Sequence, residues 1–375
     1  MQEKKRRQKM EYQRCTRCIM DTTDPSITFD ENGVCNHCTQ WFEMWNNTID
    51  RRPIEQVVEE IKSRRQGRYD AVLGISGGVD STYTAYLAKK HDLEVLLLHA
   101  DSGWNSKAAW ESVQKIVNVT GYDYEHPRFN HREYRDIINS YLKAHVVGLE
   151  APTDNILRAF IYDAVKRTKC RSIITGNNWA TEGILPAMYW GFDNNDAGNI
   201  KDIHKKHGTI PLRETKLIGI IERAYVLGVK GVKEYRLLNH IDPPYNRDTA
   251  KQVITEFFGW VDHGRKHNED RYTKFVECYI FPKKFGIDKR KAHYSTLICS
   301  EQMTRNEAIK KLAEPPYSPE EEQDEVEYFI RKLGIDENWL LEYINTATGS
   351  HHDYKTHDLQ RKFVELGMRV LGRRF

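Results

Sequence analysis

The sequence predicts an α/β protein whose parallel sheet is built around one strand, turn and helix, preceded by a small cysteine module and followed by a helical region. Three observations carry that prediction. Residues 70–89, DAVLGISGGVDSTYTAYLAK, pass from a short apolar run through paired glycines into a pattern with Tyr83, Tyr86 and Leu87 at helix spacing. Strand-length apolar runs then alternate with helix-period segments as far as residue 175, the pattern of a parallel sheet with crossover helices. Ahead of both, four of the seven cysteines stand as Cys15-x-x-Cys18 and Cys35-x-x-Cys38.

A chain of 375 residues is long enough for two or three modules whose cores need no covalent staple. The division expected is a metal-binding module at 1–50, an α/β domain at 51–240 and a helical substrate or partner region at 241–375. Hydrophobic residues make up 39% and charged residues 30%, a soluble globular composition. No window reaches the apolar length of a membrane span, and the charged start MQEKKRRQKM leads into no apolar segment. Neither a spanning helix nor a signal peptide is therefore expected, and the protein is read as cytoplasmic. The net charge of +3, from 57 basic and 54 acidic residues, gives no general attraction to nucleic acid. The basic arm at 4–9 reads either as an RNA contact or as a solvated terminus. There is no internal repeat and no low-complexity segment.

In the cysteine module, 16 residues separate the two CxxC pairs, a spacing suited to four thiolates on one tetrahedral zinc. Two disulfides would need an oxidising compartment. A closed four-sulfur shell leaves no coordination position for chemistry, so the zinc is expected to replace a core in a segment poor in aliphatic residues. His37, inside the second pair, is a competing ligand that the four cysteines make unnecessary.

Residues 41–67 read as a helical connector, with Ile54, Val57, Val58 and Ile61 at helix spacing. The alternation that follows predicts a strand at 71–75, helix 80–90, strand 94–100, helix 106–120, a strand at Tyr124, helices at 134–143 and 156–168, and a strand at 172–175. Ligands of such sheets gather at the carboxyl ends of the strands. Asp101 and Ser102 fall at one such end, and Gly176, Asn177, Asn178 and Glu182 at another. Plainer readings stand beside these: Asp101 as the cap of the turn before Gly103, and the asparagines as loop formers. Arg158 points at a ligand or lies on the surface. Residues 191–208 show neither helical nor strand period and are expected to form a lid or binding loop. Lys205 is the candidate cation within it.

From about residue 241 the chain is helix-biased, aromatic and basic, with an amphipathic stretch at 251–261. GRKHNEDRYTKF at 264–275 and PKKFGIDKRKAHYS at 282–295 supply Lys266, His267, Arg271, Lys284, Arg290 and His293 beside tyrosines. Such clusters suit nucleic acid, the diphosphate of a sugar nucleotide with a ring to stack on its base, or a solvated helical surface. The acidic run at 319–327 reads as a helix start.

The hexapeptide Ser76-Gly77-Gly78-Val79-Asp80-Ser81 combines glycines that admit close backbone approach, the N–H groups of a helix end, and two serine hydroxyls, so its natural ligand is phosphate. It fits neither the Walker loop nor the Rossmann turn. It resembles the SGGxDS signature of the PP-loop ATP pyrophosphatases, the fold of asparagine synthetase, GMP synthetase and the tRNA thiolation enzymes. That resemblance implies that residues 76–81 hold the pyrophosphate of ATP while a substrate oxygen attacks the α-phosphate. Asp80, Ser81 and Lys205 are then the catalytic candidates, with Asp101, Gly176, Asn177 and Glu182 completing the nucleotide and magnesium site. Two asparagines before Glu182 depart from the acidic cluster usual at that turn.

Across nearly the whole chain, RCTRCIMDTTDPSITFDENGVCNHC, LGISGGVDSTY, TGNNWATEG and GIDKRKAHYSTLICSEQMTRNEA resemble the bacterial N-acetyl sugar amidotransferases of surface polysaccharide and glycan biosynthesis. The resemblance implies conversion of the N-acetyl group of a UDP-linked sugar to an acetamidino group, as in lipopolysaccharide O-antigen synthesis, with release of AMP and pyrophosphate. It further implies ammonia made by a separate glutaminase and delivered through a cyclase-like partner similar to the pair of histidine biosynthesis. The C-terminal cations would bind the sugar nucleotide. The alternative is a tRNA-modifying enzyme of the same superfamily. Sulfur transfer usually wants a further reactive cysteine pair or an iron-sulfur site, whereas Cys170, Cys278 and Cys299 read as isolated.

Overall fold

The computed structural model describes residues 11–186, 190–262, 264 and 269–370. The basic arm at 4–9 and the candidate ligands Lys266 and His267 lie outside the described residues. Five parallel strands form one sheet: β1 (Ala71–Gly74), β2 (Val95–Leu98), β3 (Asp123–Glu125), β4 (Ser172–Ile174) and β5 (Lys233–Tyr235), in the order β3-β2-β1-β4-β5. The chain builds outward from β1 in one direction through β2 and β3. It then crosses back to place β4 and β5 on the other side. Strand order therefore reverses between β1 and β4, which opens a crevice at their carboxyl ends.

Both faces of the sheet are covered, so its central strands read as continuous apolar runs rather than as an alternation. Val72, Leu96, Leu98 and Ile173 join one core with α5 (His131–Ala144) and α6 (Ala151–Thr168). Their neighbours Ala71, Leu73, Val95, Leu97 and Ile174 join the other with α2 (Ile54–Ser63), α3 (Val79–Lys90) and α4 (Lys107–Thr120). Alternate residues of a strand point to opposite faces, and these two sets follow that period.

Several boundaries differ from the sequence reading. The connector at 41–67 is two helices, α1 (Asn36–Asn47) and α2, because Pro53 stands at the N-cap of the second. The tract at 191–208 is not an irregular lid: Ala197–His207 is a helix, capped by Asp196, with Ile200, Ile203 and His204 buried. Only three of its residues are aliphatic, and much of its anchorage is polar, with His204 Nε2 2.8 Å from Asp136 Oδ2 on α5. The fifth strand had no sequence signal, since of Lys233, Glu234 and Tyr235 only the tyrosine is buried. The helical bias after residue 241 is present as Arg247–Phe258, Lys289–Cys299, Arg305–Ala313, Pro319–Leu333 and Glu337–Asn345. The acidic run starts the Pro319–Leu333 helix, whose N-cap Ser318 accepts from the N–H of Glu321. No helix among the described residues is long and apolar enough to cross a membrane.

The N-terminal module is docked on the C-terminal region. Ile19 N–H donates to Ser295 Oγ, Lys291 pairs with Asp21 at 2.7 Å, and Arg305 donates to the carbonyls of Cys15 and Cys18. Cys299 is not isolated, since its Sγ lies 3.8 Å from Cys38 Sγ.

Two carboxylates of α5 hold the irregular stretch that follows the Ala197–His207 helix. Asp136 accepts from the N–H groups of Thr209 and Ile210, and Glu133 from those of Arg213, Glu214 and Thr215. Burial pushes the Glu133 carboxyl up, but hydrogen bonds from Thr215, Arg213 and Glu214 outweigh it and hold it down to about 2. A carboxyl depressed in the folded state stabilises above its unfolded value and loses that contribution as pH falls through the folded value. The Glu133 contribution should be about 3 kcal/mol near neutrality and fade between about pH 5 and pH 2. Urea unfolding of Glu133→Gln against the unsubstituted protein should show a stability gap that closes toward acid; a gap independent of pH contradicts this.

Candidate active site

The crevice at the switch point is a cavity of about 650 Å³, bounded by the carboxyl ends of β1, β2 and β4, by α6, and by residues of the C-terminal region. Its floor is the turn from β1 into α3. Gly77 has φ +83°, and a Cβ there would lie 2.6 Å from the carbonyl oxygen of Ala109, so the turn admits only glycine at that position. Ser81 Oγ accepts from Ser76 N–H, while Ser76 Oγ accepts from Gly78 N–H at the N-cap of α3. The first turn of a helix leaves N–H groups without intrahelical acceptors and carries partial positive charge. The turn after β4 closes against it: a Cβ on Gly176 would stand 2.9 Å from Ser81 N. Trp260 Nε1 holds the Gly77 carbonyl, and Tyr245 donates to Asp80 Oδ1 at 2.5 Å.

Of the sequence candidates for the nucleotide, Ser76, Ser81, Asn177 and Glu182 line the cavity, with Asn177 Nδ2 donating to Glu182 Oε2 at 3.1 Å. Gly77, Gly78, Val79, Asp80 and Gly176 form the turns behind them. Asp101 takes its plainer reading: its carboxylate caps the turn at Gly103 N–H, 2.7 Å away, and it does not line the cavity. Asn178 likewise caps the helical turn at Trp179–Glu182. Arg158 donates to Asn194 and Asn195, and Lys205 stands on the exposed side of its helix, away from the cavity wall.

The C-terminal candidates divide. Arg271 pairs with Glu325 and lies over the Tyr328 ring, and Lys284 donates to the carbonyls of Tyr343 and Thr346, so both are tied into the helical region. Arg290 and His293 line a second cavity of about 250 Å³, with Arg247, Lys251 and Lys311 and the acids Asp248, Glu277 and Asp288 also on its wall; Arg290 is itself paired with Asp288 and donates to the carbonyls of Leu312 and Glu314. His293, Lys289 and Glu277 line both cavities, so the two share a wall.

Lys289 is the centre of that wall, and nothing in the sequence distinguishes it from its basic neighbours. Its Nζ lies 2.5 Å from Glu150 and 3.0 Å from Glu277. Burial alone would lower the lysine, but the two carboxylates reverse this and hold it charged. Burial pushes the Glu150 carboxyl up, with Lys289 opposing. His99, also missed, ties β1 to β2: Nδ1 donates to the Ile75 carbonyl, which leaves Nε2 to accept from Asn105 Nδ2. Burial pushes this histidine down, so it stays neutral. No spacing pattern marks Lys289, Glu150, Glu277 or His99, because their partners come from distant parts of the chain.

At the N-terminal module the Sγ atoms of Cys15, Cys18, Cys35 and Cys38 all lie within 4.8 Å of one another and are fully buried. Cys18 and Cys35 N–H groups point at Cys15 Sγ, and Met20 N–H at Cys18 Sγ. Four thiolates on one tetrahedral metal stand about 3.8 Å apart, and the Cys18–Cys35 and Cys15–Cys38 separations are 3.7 and 4.0 Å. The residues fit a closed metal shell. His37 is engaged elsewhere, 2.5 Å from Asp24.

Residues 269–368 match the family model described as LPS biosynthesis protein WbpG-like, C-terminal domain, and residues 66–181 match that of thiamine biosynthesis protein (ThiI). A search of the curated proteins finds no match. Similar solved structures include an NH3-dependent NAD synthetase from Campylobacter jejuni, at 16% identity and TM-score 0.29 over 58% of this chain and 93% of that one. An NMN synthetase from Francisella tularensis is similar at 12% identity and TM-score 0.31, over 58% and 86%. A U34-tRNA thiolase, NcsA, from Methanococcus maripaludis with its 4Fe-4S cluster is similar at 14% and 0.36, over 78% and 88%. The chain thus joins a PP-loop domain to a WbpG-like C-terminal domain.

Replacing Lys289 by Met leaves Glu150 and Glu277 without their cation, which should cost about 3–5 kcal/mol of stability near neutral pH. Carboxyls raised in the folded state gain stability as they take up protons, so the loss should shrink toward about pH 5. Urea unfolding of Lys289→Met at the two pH values checks this; an undiminished or absent loss contradicts it.

Proposed function

We propose that the protein is an ATP-dependent amidotransferase that activates the N-acetyl carbonyl of a nucleotide-linked sugar and replaces its oxygen with nitrogen from ammonia. One observation carries the reading: the cavity over the SGGVDS turn shares the Lys289–His293 wall with a second cavity bordered by Arg247, Lys251 and Arg290. A nucleotide beside an anionic acceptor needs two such sites in contact. The match of residues 269–368 to a lipopolysaccharide biosynthesis domain supports a sugar acceptor over a tRNA. So does the small size of that second cavity, since tRNA binding calls for an extended basic face.

An amide carbonyl is too poor an electrophile for ammonia. In the proposed reaction its oxygen attacks the α-phosphorus of ATP, the bond from that phosphorus to the pyrophosphate breaks, and an O-adenylyl imidate forms. Ammonia adds to the imidate carbon, a proton leaves, and the carbon–oxygen bond to AMP breaks to give the amidine. The turn N–H groups with Ser76 and Ser81 hold the pyrophosphate as charge develops on it. Lys289, held between Glu150 and Glu277, fixes the wall that the two sites share. Glu182 on the cavity wall is the carboxylate that would hold magnesium, which when bound would offset charge on the pyrophosphate. Zinc is assigned to Cys15, Cys18, Cys35 and Cys38, where it is structural.

The nitrogen is assigned to a partner, a glutaminase with a cyclase-like channel subunit. Glutamine hydrolysis needs an activated thiol. Four cysteines here are gathered together, Cys299 is buried beside them, burial pushes the Cys170 thiol up, and the seventh, Cys278, lies on the wall of the second cavity, the one assigned to the acceptor.

With a UDP-linked N-acetyl sugar and an ammonium salt, ATP should be converted to AMP and pyrophosphate in equal amounts by protein carrying about one zinc per chain. Ser81→Ala should lower kcat by about 100-fold. Product analysis by chromatography checks this: ADP and phosphate would remove the adenylation, and turnover with tRNA but not with the sugar would favour the base-modifying alternative.

A further inference from the structure

A third cavity, of about 290 Å³, lies behind the loop that follows β2, outside the crevice. Trp104 and Tyr134 form its buried floor, and the exposed side chains of His131, Arg135 and Lys332 stand on its wall. His131 and Arg135 are four residues apart on α5 and so share one face of it. The acids of the same helix turn elsewhere: Glu133 accepts from the N–H groups of Arg213 and Thr215, and Asp136 from those of Thr209 and Ile210. Lys332 comes from the last turn of the Pro319–Leu333 helix, and its Nζ donates to the Gly103 carbonyl at 2.7 Å. Gly103, at φ +79°, lets the imidazole pack on the loop, since a Cβ there would stand 2.9 Å from His131 Cε1.

The charge gathered here is unspent. Among the described residues, the Arg135 and His131 side chains have no hydrogen-bond or ion-pair partner, Lys332 has no carboxylate partner, and no residue lining the cavity is acidic. The second cavity differs, because there Arg290 and Lys251 face Asp288 and Asp262. Two permanent cations and an imidazole on one concave wall repel one another, and a buried aromatic floor screens them less than water does. An anion with several oxygens relieves this from three directions at once. A guanidinium matches a phosphate group in particular, which it can hold by two parallel hydrogen bonds. The volume is close to the lower end for small-molecule sites, about 300 Å³.

We propose that this cavity is a further anion site, which binds the phosphate group of a small molecule between His131, Arg135 and Lys332. Ser102 lines both this cavity and the crevice, so the occupant sits behind the loop that bounds the proposed nucleotide site. From the crevice side the loop is held by a short ribbon at 269–271, in which Ser106 N–H donates to the Glu269 carbonyl and Arg271 N–H to that of Trp104. The proposal is independent of what the SGGVDS turn holds.

The exposed Lys332 amine gives a readout of this cavity alone. Its acetylation by N-hydroxysuccinimide acetate is followed by peptide mass spectrometry on the full chain, in EDTA, with inorganic phosphate, pyrophosphate, hexaglutamate or sodium chloride at matched ionic strength. Phosphate or pyrophosphate should slow the modification about 5-fold or more, and sodium chloride should not. Arg135→Gln and His131→Gln alter exposed side chains without partners, so both should fold with an unchanged Tm. Each should raise the half-protecting concentration about 10-fold, as expected for loss of one charge-assisted hydrogen bond. Ser81→Ala should leave it unchanged. Stronger protection by pyrophosphate than by phosphate assigns a diphosphate as the occupant, and equal protection a single phosphate group. Protection no greater than that of sodium chloride, or unmoved by both substitutions, overturns the proposal. Protection lost in Ser81→Ala places the anion at the SGGVDS turn and also overturns it. Protection by hexaglutamate with none by either phosphate makes the cavity a contact for an acidic protein and overturns it as well.

Discussion

The reversal of strand order at β1 is the constraint on which the rest depends. It forces the turn after β1 and the turn after β4 to meet with no strand between them, and they meet at backbone distance. Gly176 lies so close to Ser81 N that a side chain has no room, and Gly77 is wedged against Ala109. The N-terminal end of α3 is therefore fixed by main-chain contact from both sides, with Trp260 holding the Gly77 carbonyl from the C-terminal region. Preorganised donors of this kind need no rearrangement when charge develops.

The two flanking regions converge on the same crevice by different routes. The four gathered cysteines hold no reacting group, yet their carbonyls take Arg305 and their module takes Lys291 and Ser295. Those residues belong to, or follow, the Lys289–Cys299 helix, which also carries Lys289, Arg290 and His293 into the cavities. Metal binding in small cysteine modules is coupled to folding, so a structural metal there would stabilise the wall between the two cavities from more than one helical turn away. From the opposite side, the 269–271 ribbon pairs with residues 104–106. The catalytic reading thus requires all three parts of the chain, although only the central one contains the sheet.

Legibility in the sequence followed how local each signal was. The order of β1 to β4 with their intervening helices was readable, because buried parallel strands and amphipathic helices carry their periods within a dozen residues. The turn from β1 into α3 and the gathering of the two CxxC pairs were readable for the same reason. The Ala197–His207 helix was not, since its anchors are polar: Asp196 as cap and His204 on Asp136. β5 was hidden by two exposed residues in three. At the site, charge attracted attention to Lys205, Arg271 and Lys284, but a lysine's role depends on what faces it. Lys284 faces carbonyls and Arg271 faces Glu325, whereas Lys289 faces two acids on the cavity wall. Glu269 lies inside the basic block GRKHNEDRYTKF, where no local pattern sets it apart. Only the fold brings it within 3.3 Å of Ser76, 193 positions away.

The central claim is that an amide oxygen of the acceptor becomes an oxygen of AMP. It is tested most directly by labelling the N-acetyl carbonyl of the UDP-linked sugar with heavy oxygen and following the label by mass spectrometry through a single turnover with ATP and ammonium. The account predicts one labelled oxygen in AMP, none in pyrophosphate, and an unlabelled amidine. Label in inorganic phosphate, or retained in the sugar product, would contradict it.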